Sequence, residues 1–319
     1  MSGYRGVRAA VLGASGFIGR WVARKLSDAG AQPYLVVRNR SGIQGEVIEA
    51  DLLDTSALAD LYRRIRPSIT FNLAGYGVDA SERDEALAYR INAELPRAIC
   101  EAAATARDAS WPGQLVIHTG SAAEYGQADG ALPEDGPAFP TTLYGKSKLA
   151  GTHAVTESCR ALGVPGITAR LFTVYGPGEH TGRLLPSLIE ASITSHPLDL
   201  TAGLPRRDFT YVEDISEGLL RLGLVAGHGE PVVNLATGRL TEVREFVKTA
   251  AGILGIPPAN LKFGAIPARP GEMEHDPVAL DRLRRLLDWI PTVTIAEGVR
   301  KTLEISVLRR IELGLDYGH

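Results

Sequence analysis

The stretch Val7-Arg8-Ala9-Ala10-Val11-Leu12-Gly13-Ala14-Ser15-Gly16-Phe17-Ile18-Gly19 decides how the rest of the chain is read. Val7 to Leu12 is a short apolar run, glycines then follow at every third position, and Ile18, Val22 and Leu26 recur at helical spacing. The pattern predicts strand, glycine turn, helix. A helix N-terminus presents unpaired N–H groups and positive dipole, and glycines let a pyrophosphate approach the backbone, so the turn suits a dinucleotide. Its spacing, G-x-x-G-x-x-G, departs from the common G-x-G-x-x-G. A glycine triplet alone could be only a tight turn; its place after the first strand gives it weight.

Working outward, Tyr34 to Val37 reads as a second buried strand and Glu46 to Glu49, leading into Ala50-Asp51-Leu52, as a third. Ile69 to Leu73, Gln114 to His118 and Ile167 to Phe172 follow as strands four to six. Leu58, Leu61 and Ile65 mark one helix between them, and residues from about 84 to 106 a long one. This alternation predicts an α/β fold, a doubly wound Rossmann-type parallel sheet. After Phe172, Gly and Pro become frequent and the alternation turns irregular, as in a smaller α/β substrate domain. Val232 to Leu235 looks like a strand returning to the main sheet, so the two domains are expected to interleave. Residues 1–172 form the dinucleotide-binding part with a returning segment at about 208–240, and 173–207 with 241–319 the substrate-binding part. Thr294 and Glu297 have capping-box spacing ahead of a helix through Val299, Leu303 and Leu308.

At 319 residues there is ample sequence for a large core. A net charge of −3 with both signs interspersed predicts no nucleic-acid or anionic-membrane partner, and Arg282-Leu283-Arg284-Arg285 reads as a solvated helix turn. The two cysteines, Cys100 and Cys159, lie in helical segments, so a disulfide framework is not expected and a reducing cytosol is the natural compartment. Cys and His are not clustered at metal-ligand spacing, so no metal is expected. Apolar runs fall short of membrane-spanning length, and Arg5 and Arg8 precede only Ala9 to Leu12, which Gly13 ends; a secretory signal is not expected, and a soluble cytoplasmic protein is.

The residue that meets an adenosine ribose should end the second strand, about twenty residues after the glycine turn. Arg38 stands there, with Arg40 close by. An acidic residue would bind two ribose hydroxyls and repel a phosphate; arginine attracts a 2′-phosphate, which favours NADP over NAD, with a solvated strand-end charge as the bland alternative. Asp51 could accept a hydrogen bond from an adenine amino group, or simply form a turn. In Thr141-Thr142-Leu143-Tyr144-Gly145-Lys146-Ser147-Lys148, Tyr144 and Lys148 are four apart, which on a helix puts phenol and ammonium on one face. A phenol with a pKa near 10 needs a neighbouring positive charge to act at neutral pH, and Lys148 is the expected source.

With the glycine turn, Asn72-Leu73-Ala74-Gly75, Ser121 ahead of Tyr125-Gly126, and Tyr144 through Lys148 in this order, nearly the whole chain resembles the extended short-chain dehydrogenase/reductase family. The resemblance implies a catalytic set of Ser121, Tyr144 and Lys148 with a supporting Asn92. Lys148 would hold the nicotinamide ribose and lower the phenol's pKa, Tyr144 would serve as general acid or base, and Ser121 would orient the reacting oxygen. Gly13, Ser15, Gly16, Phe17, Ile18, Gly19, Leu52, Leu73, Ala74, Gly75 and Val174 complete the expected cofactor contacts. The helices around 84–106 and 145–161 resemble those through which relatives dimerise, which implies a homodimer.

Leu171 to Gly178, Arg207 to Asp214 and Arg269-Pro270-Gly271-Glu272 resemble the nucleotide-sugar branch of that family, which implies a nucleoside-diphosphate sugar substrate with Arg207 and Arg269 on its diphosphate and Glu272 on its ribose. Three departures narrow the reaction. Thr173 stands where such relatives usually carry Asn. Ala122 and Ala123 stand where a 4,6-dehydratase carries Asp and Glu, and Ala123 where the combined epimerase-reductases carry Cys, despite His180. Glu124 is a further expected substrate contact, although one carboxylate does not replace the pair. Gly126 to Thr142 is a possible flap between Ser121 and Tyr144. The expectation is an NADPH-dependent 4-ketoreductase of a nucleoside-diphosphate 4-keto-6-deoxysugar. Its rivals are an NAD-dependent nucleotide-sugar 4-epimerase, a reductase of flavonoid-like or other apolar ketones, and a non-catalytic cofactor-binding sensor; such sensors tend to lose the Tyr or Lys, and both are present here.

Overall fold

The computed structural model describes residues 2–40, 42–79, 81–108, 110–227, 229–268 and 273–312, except the side chains of 2 and 307–312. The chain opens with β1 (Arg8–Leu12), α1 (Phe17–Asp28), β2 (Gln32–Val37), β3 (Glu46–Glu49), α2 (Thr55–Ile65) and β4 (Ile69–Asn72). Then α3 (Glu85–Tyr89) runs through a π turn, Arg90–Glu94, into α4 (Leu95–Thr105), followed by β5 (Val116–Ser121), α5 (Leu143–Leu162) and β6 (Gly166–Leu171). The irregular half holds β7 (Thr173–Tyr175), α6 (Leu184–Thr194), β8 (Leu198–Leu200), β9 (Arg206–Tyr211), α7 (Val212–Gly223), β10 (Val232–Leu235), β11 (Leu240–Glu242), α8 (Val243–Leu254), β12 (Leu261–Phe263), α9 (Asp281–Leu287) and α10 (Ile295–Glu312).

Seven parallel strands form the main sheet in the order β10-β6-β5-β4-β1-β2-β3. Alternate residues of β1 serve opposite faces: Ala9 and Val11 pack with Val22, Leu26, Ile215 and Leu219, whereas Ala10 and Leu12 pack with Leu58, Leu61, Ile99 and Val155. A strand covered on both sides has no polar face, which is why its sequence is a continuous apolar run. From β1 the chain winds outward to β2 and β3, then returns to β4 on the other side. That reversal opens a crevice at the C-terminal ends of β1 and β4, where open α/β sheets take their ligands.

A second sheet, β11-β9-β7, and the pair β12-β8 carry a separate core of Leu185, Leu188, Phe209, Phe246, Val247 and Val299. The rings of Phe209 and Phe246 stack with centroids 4.3 Å apart. The chain leaves the main sheet after β6 and comes back when β9 runs directly into α7, which packs on α1; β10 then pairs with β6. Two local differences from the sequence reading matter below. The long helix from about residue 84 is broken into α3 and α4 by the π turn at Asn92, and β5 continues past His118 to Ser121.

Candidate active site

Ser121 is the last residue of β5 and caps a short 3-10 turn, Ala122–Glu124, its hydroxyl accepting from the Ala123 N–H at 3.2 Å. Tyr144 and Lys148 lie in the first turns of α5, which starts where Thr142 accepts from the Gly145 N–H at 3.0 Å. Two helix-interior glycines let α5 come close enough. A Cβ at residue 145 would lie 2.3 Å from the Ala123 carbonyl oxygen, and one at residue 151 would lie 1.9 Å from the Asn92 carbonyl oxygen. Each such glycine costs a helix roughly 1 kcal/mol relative to alanine, and close docking of Tyr144 and Lys148 beside β5 is what offsets it.

Tyr144 is half-buried and shares a hydrogen bond with Ser121. Its pKa is raised, first by burial; the Ser121 hydrogen bond opposes that, Glu124 and Glu82 add to the rise, and Arg183 pulls the other way. This corrects the expectation of a phenol lowered by Lys148, because desolvation outweighs every favourable contact here. The Lys148 ammonium instead turns to the Thr119 carbonyl, and burial brings its own pKa down to about 8 against the opposing pull of Glu124. An ammonium has three N–H groups, so two remain for ribose hydroxyls. Behind it, fully buried His118 is held below its usual range by burial and then by the Lys148 charge, and its Nδ1 lies 3.0 Å from Asn72 Nδ2.

Asn92, buried in the π turn, clamps the loop after β4 to α5. Its side chain accepts from the Tyr76 N–H at 3.0 Å and donates to the Tyr76 carbonyl at 2.8 Å and to Ser147 Oγ at 2.9 Å. That clamp brings Gly77 against the Tyr144 ring, where a Cβ would sit 3.2 Å from Cδ2.

The glycine turn fits a dinucleotide. Gly13 has φ +78°, and a Cβ there would lie 2.9 Å from the backbone of Leu73 and Ala74, so only glycine lets the turns after β1 and β4 meet. Gly16 precedes α1 with no side-chain cap, which leaves the first N–H groups of the helix available to phosphate oxygens. Gly19 faces the Gly13 carbonyl, and the Ser15 carbonyl is held by Arg20 at 2.9 Å. Pro177 and Gly178 border the same helix end: Trp21 donates to the Pro177 carbonyl at 3.1 Å, and a Cβ at Gly178 would touch Phe17 at 3.9 Å. Arg38 is exposed just beyond β2, whereas Arg40 already donates to the Val47 carbonyl at 3.1 Å. Asp51 caps a turn by accepting from the Leu53 N–H at 3.0 Å.

Toward the second sheet, Thr173 and Val174 are half-buried on β7. Arg207 on β9 donates to the carbonyls of Arg206 and Met273, both at 2.9 Å. Arg269 and Glu272 lie outside the described residues. Glu124 is a correction: it is fully buried, and its carboxylate accepts from Ser121 N–H, Thr152 and Arg170, so it supports the turn from behind rather than facing a substrate.

Residues 9–236 match the NAD dependent epimerase/dehydratase family. The chain belongs to that family. Among its relatives, it is 31% identical to dTDP-6-deoxy-L-talose 4-dehydrogenase (NAD(P)(+)) of Kitasatospora kifunensis, covering 92% of this chain and 94% of that one. It is 27% identical to UDP-glucose 4-epimerase of Mycolicibacterium smegmatis over 93% and 98% of the two chains. Among solved structures it is similar to MoeE5 in complex with UDP-glucose and NAD, with a TM-score of 0.82, 28% identity, and coverage of 95% and 99%.

In this member of the epimerase/dehydratase family, the sequence did not point to Arg183 and Glu82, whose charges act on Tyr144, to His118 beside Lys148, or to Arg170 on the Glu124 carboxylate. One signal was available. Ser121 and Glu124 have capping-box spacing, and the structure forms that box.

Proposed function

We propose that the chain reduces the 4-keto group of a nucleoside-diphosphate 4-keto-6-deoxysugar with NADPH, as a cytoplasmic homodimer. The observation that carries this reading is the hydrogen-bonded pair Tyr144 and Ser121 beside buried Lys148, on a turn whose next residues, Ala122 and Ala123, bring no acid or base. Such a pair can pass a proton to one oxygen. It cannot remove a carbon-bound proton and expel water, which takes a second acid-base group. The similarity to a 4-dehydrogenase of a dTDP-6-deoxysugar supports the same chemistry, since dehydrogenation at that carbon is ketone reduction run backwards. Exposed Arg38 at the end of β2 favours the 2′-phosphate of NADP, and Arg207, with Arg269 and Glu272, is assigned to the nucleotide end of the substrate.

The dinucleotide supplies hydride when bound; the protein does the rest. Ser121 orients the keto oxygen, Tyr144 donates the proton that makes it a hydroxyl, and Lys148 holds the ribose and a positive charge near the phenol. The raised pKa of Tyr144 suits a donor in the reductive direction. In the test, purified protein consumes NADPH in equal amount with a 4-keto-6-deoxy nucleotide sugar, and Tyr144→Phe loses at least about 10²-fold in kcat while keeping cofactor binding. No such turnover, together with tightly retained NAD and interconversion of two 4-epimers, overturns this in favour of the epimerase reading, which the similarity to UDP-glucose 4-epimerase supports. Unchanged substrate affinity in Arg207→Ala points instead to an apolar ketone.

A further inference from the structure

We propose that Glu124 is a positioning residue for this site, tying the Ser121 turn to β6 and α5 and presenting a fixed negative charge to Tyr144 and Lys148 from behind. The inference rests on the assignment of Ser121, Tyr144 and Lys148 as the reacting set.

The geometry is that of a built fixture. One carboxylate oxygen accepts from the Ser121 backbone N–H at 2.7 Å; the other accepts from Arg170 Nε on β6 at 2.8 Å and from Thr152 Oγ1 on α5 at 2.9 Å. Three elements that must keep register for catalysis thus meet on one side chain. Both ions are out of solvent, Glu124 at 0% and Arg170 at 4% exposure. The space is shaped for the carboxylate, because a Cβ at Gly120 would lie 2.5 Å from Glu124 Oε1 and 2.8 Å from Thr168. Arg170 is braced in turn: its guanidinium stands 4.4 Å over the Tyr125 ring and donates to the Glu134 carbonyl at 3.3 Å, and Tyr125 donates to Asn234 Oδ1 at 2.8 Å.

A buried ion pair of this kind is a poor device for stability alone, since its desolvation cancels much of the attraction. Its value here lies in orientation and field. Glu124 pushes upward on the pKa of both Tyr144 and Lys148. Among the described residues, Ser121, Arg183 and Glu82 also act on Tyr144, and Lys148 also neighbours His118, which burial and the Lys148 charge hold below its usual range. Removing the Glu124 charge while keeping its shape therefore lets both groups titrate lower.

The experiment uses Glu124→Gln in the full chain. Lys148 is followed by NMR of protein labelled with ¹³Cε-lysine, its signal assigned by loss in Lys148→Met; this readout needs no substrate. Its titration midpoint is expected to fall by about one pH unit. In turnover, kcat is expected to fall about 10²-fold with KM for the nucleotide sugar within about twofold, and the pH profile of kcat to move to lower pH. If Glu124→Gln does not fold, the charge-balanced Glu124→Gln/Arg170→Gln carries the same measurements. An unmoved Lys148 midpoint, or a loss of kcat with an unshifted profile, overturns the proposal. Wild-type protein that turns over no nucleotide sugar defeats the substrate assignment and leaves the lysine titration standing.

Discussion

Two stretches among the described residues share one four-residue device. At Thr294 and Glu297 the Thr hydroxyl accepts from the Glu297 N–H and the Glu297 carboxylate accepts from the Thr294 N–H at 2.9 Å, all in solvent at the start of α10. At Ser121 and Glu124 the carboxylate closes the same loop at 2.7 Å, but fully buried and with Arg170 on its other oxygen. Local geometry is shared and surroundings are opposite. The difference teaches that a cap serves its own helix when exposed, and that buried it becomes a junction among β5, β6 and α5.

Breaking each box in the same way should separate the two roles most widely. Glu124→Ala leaves the Arg170 guanidinium buried without its anion, and the expected loss is about 3–5 kcal/mol of stability. Urea unfolding checks it. Replacing both partners, Glu124→Leu with Arg170→Met, should recover most of that loss, because matched apolar side chains avoid the desolvation cost, yet turnover should stay depressed. Recovery of turnover along with stability would make the pair merely structural.

The contrast also explains what was legible. Burial on both faces of β1 writes itself into Val7 to Leu12, and the close approaches at Gly13 and Gly19 write themselves as glycines, so the sheet and its glycine turn could be read directly. Helical spacing brought Tyr144 and Lys148 into view, and the resemblance to the extended short-chain dehydrogenase/reductase family added Ser121 and Asn92 as expectations. Direction could not be read. That Glu124 turns inward depends on an arginine 46 residues later in the chain, and that Lys148 turns to Thr119 rather than Tyr144 depends on how deep Gly145 and Gly151 let α5 sink. Tyr144 titrates above the usual phenol range for the same reason: its neighbours in sequence suggested a cation, while depth in the fold decided the sign.

A third carboxylate sharpens the comparison, since Glu179 is nearly as buried as Glu124 but weakly compensated. Its side chain is 7% exposed, meets half-exposed Arg183 at 3.5 Å and accepts a backbone hydrogen bond from Gly176, and Oε2 has no partner among the described residues. Burial pushes its pKa up to about 7. A carboxyl raised in the folded state favours folding below its unfolded value, and that contribution is lost as pH rises through about 7. Glu179→Gln should therefore gain on wild type by about 2 kcal/mol more at pH 8 than at pH 5, by urea unfolding at both. Equal differences at the two pH values would mean that the carboxylate finds water or a cation in solution. Next in size stands Thr294→Ala, expected to cost about 1 kcal/mol by thermal or urea unfolding and to leave kcat and KM unchanged, as befits a cap that serves only α10.

The smallest effect belongs to the acid of the exposed box. Hydrogen bonds from the Thr294 N–H, then from its hydroxyl, hold Glu297 below the usual carboxylate range. For a lowered carboxylate the stabilisation is present above its unfolded value and disappears as pH falls through the folded one. Glu297 also stands in the first turn of α10, where a negative charge meets the positive end of the helix dipole. Glu297→Gln keeps the acceptor and the shape of the box and removes only the charge. Its unfolding temperature should therefore lie slightly below that of wild type near neutral pH, approach it as pH drops below 4, and lose most of the difference in high salt, since an exposed charge is screened. A difference that persisted in salt and acid would mean that this box, too, is a buried junction, and the distinction between the two would fail.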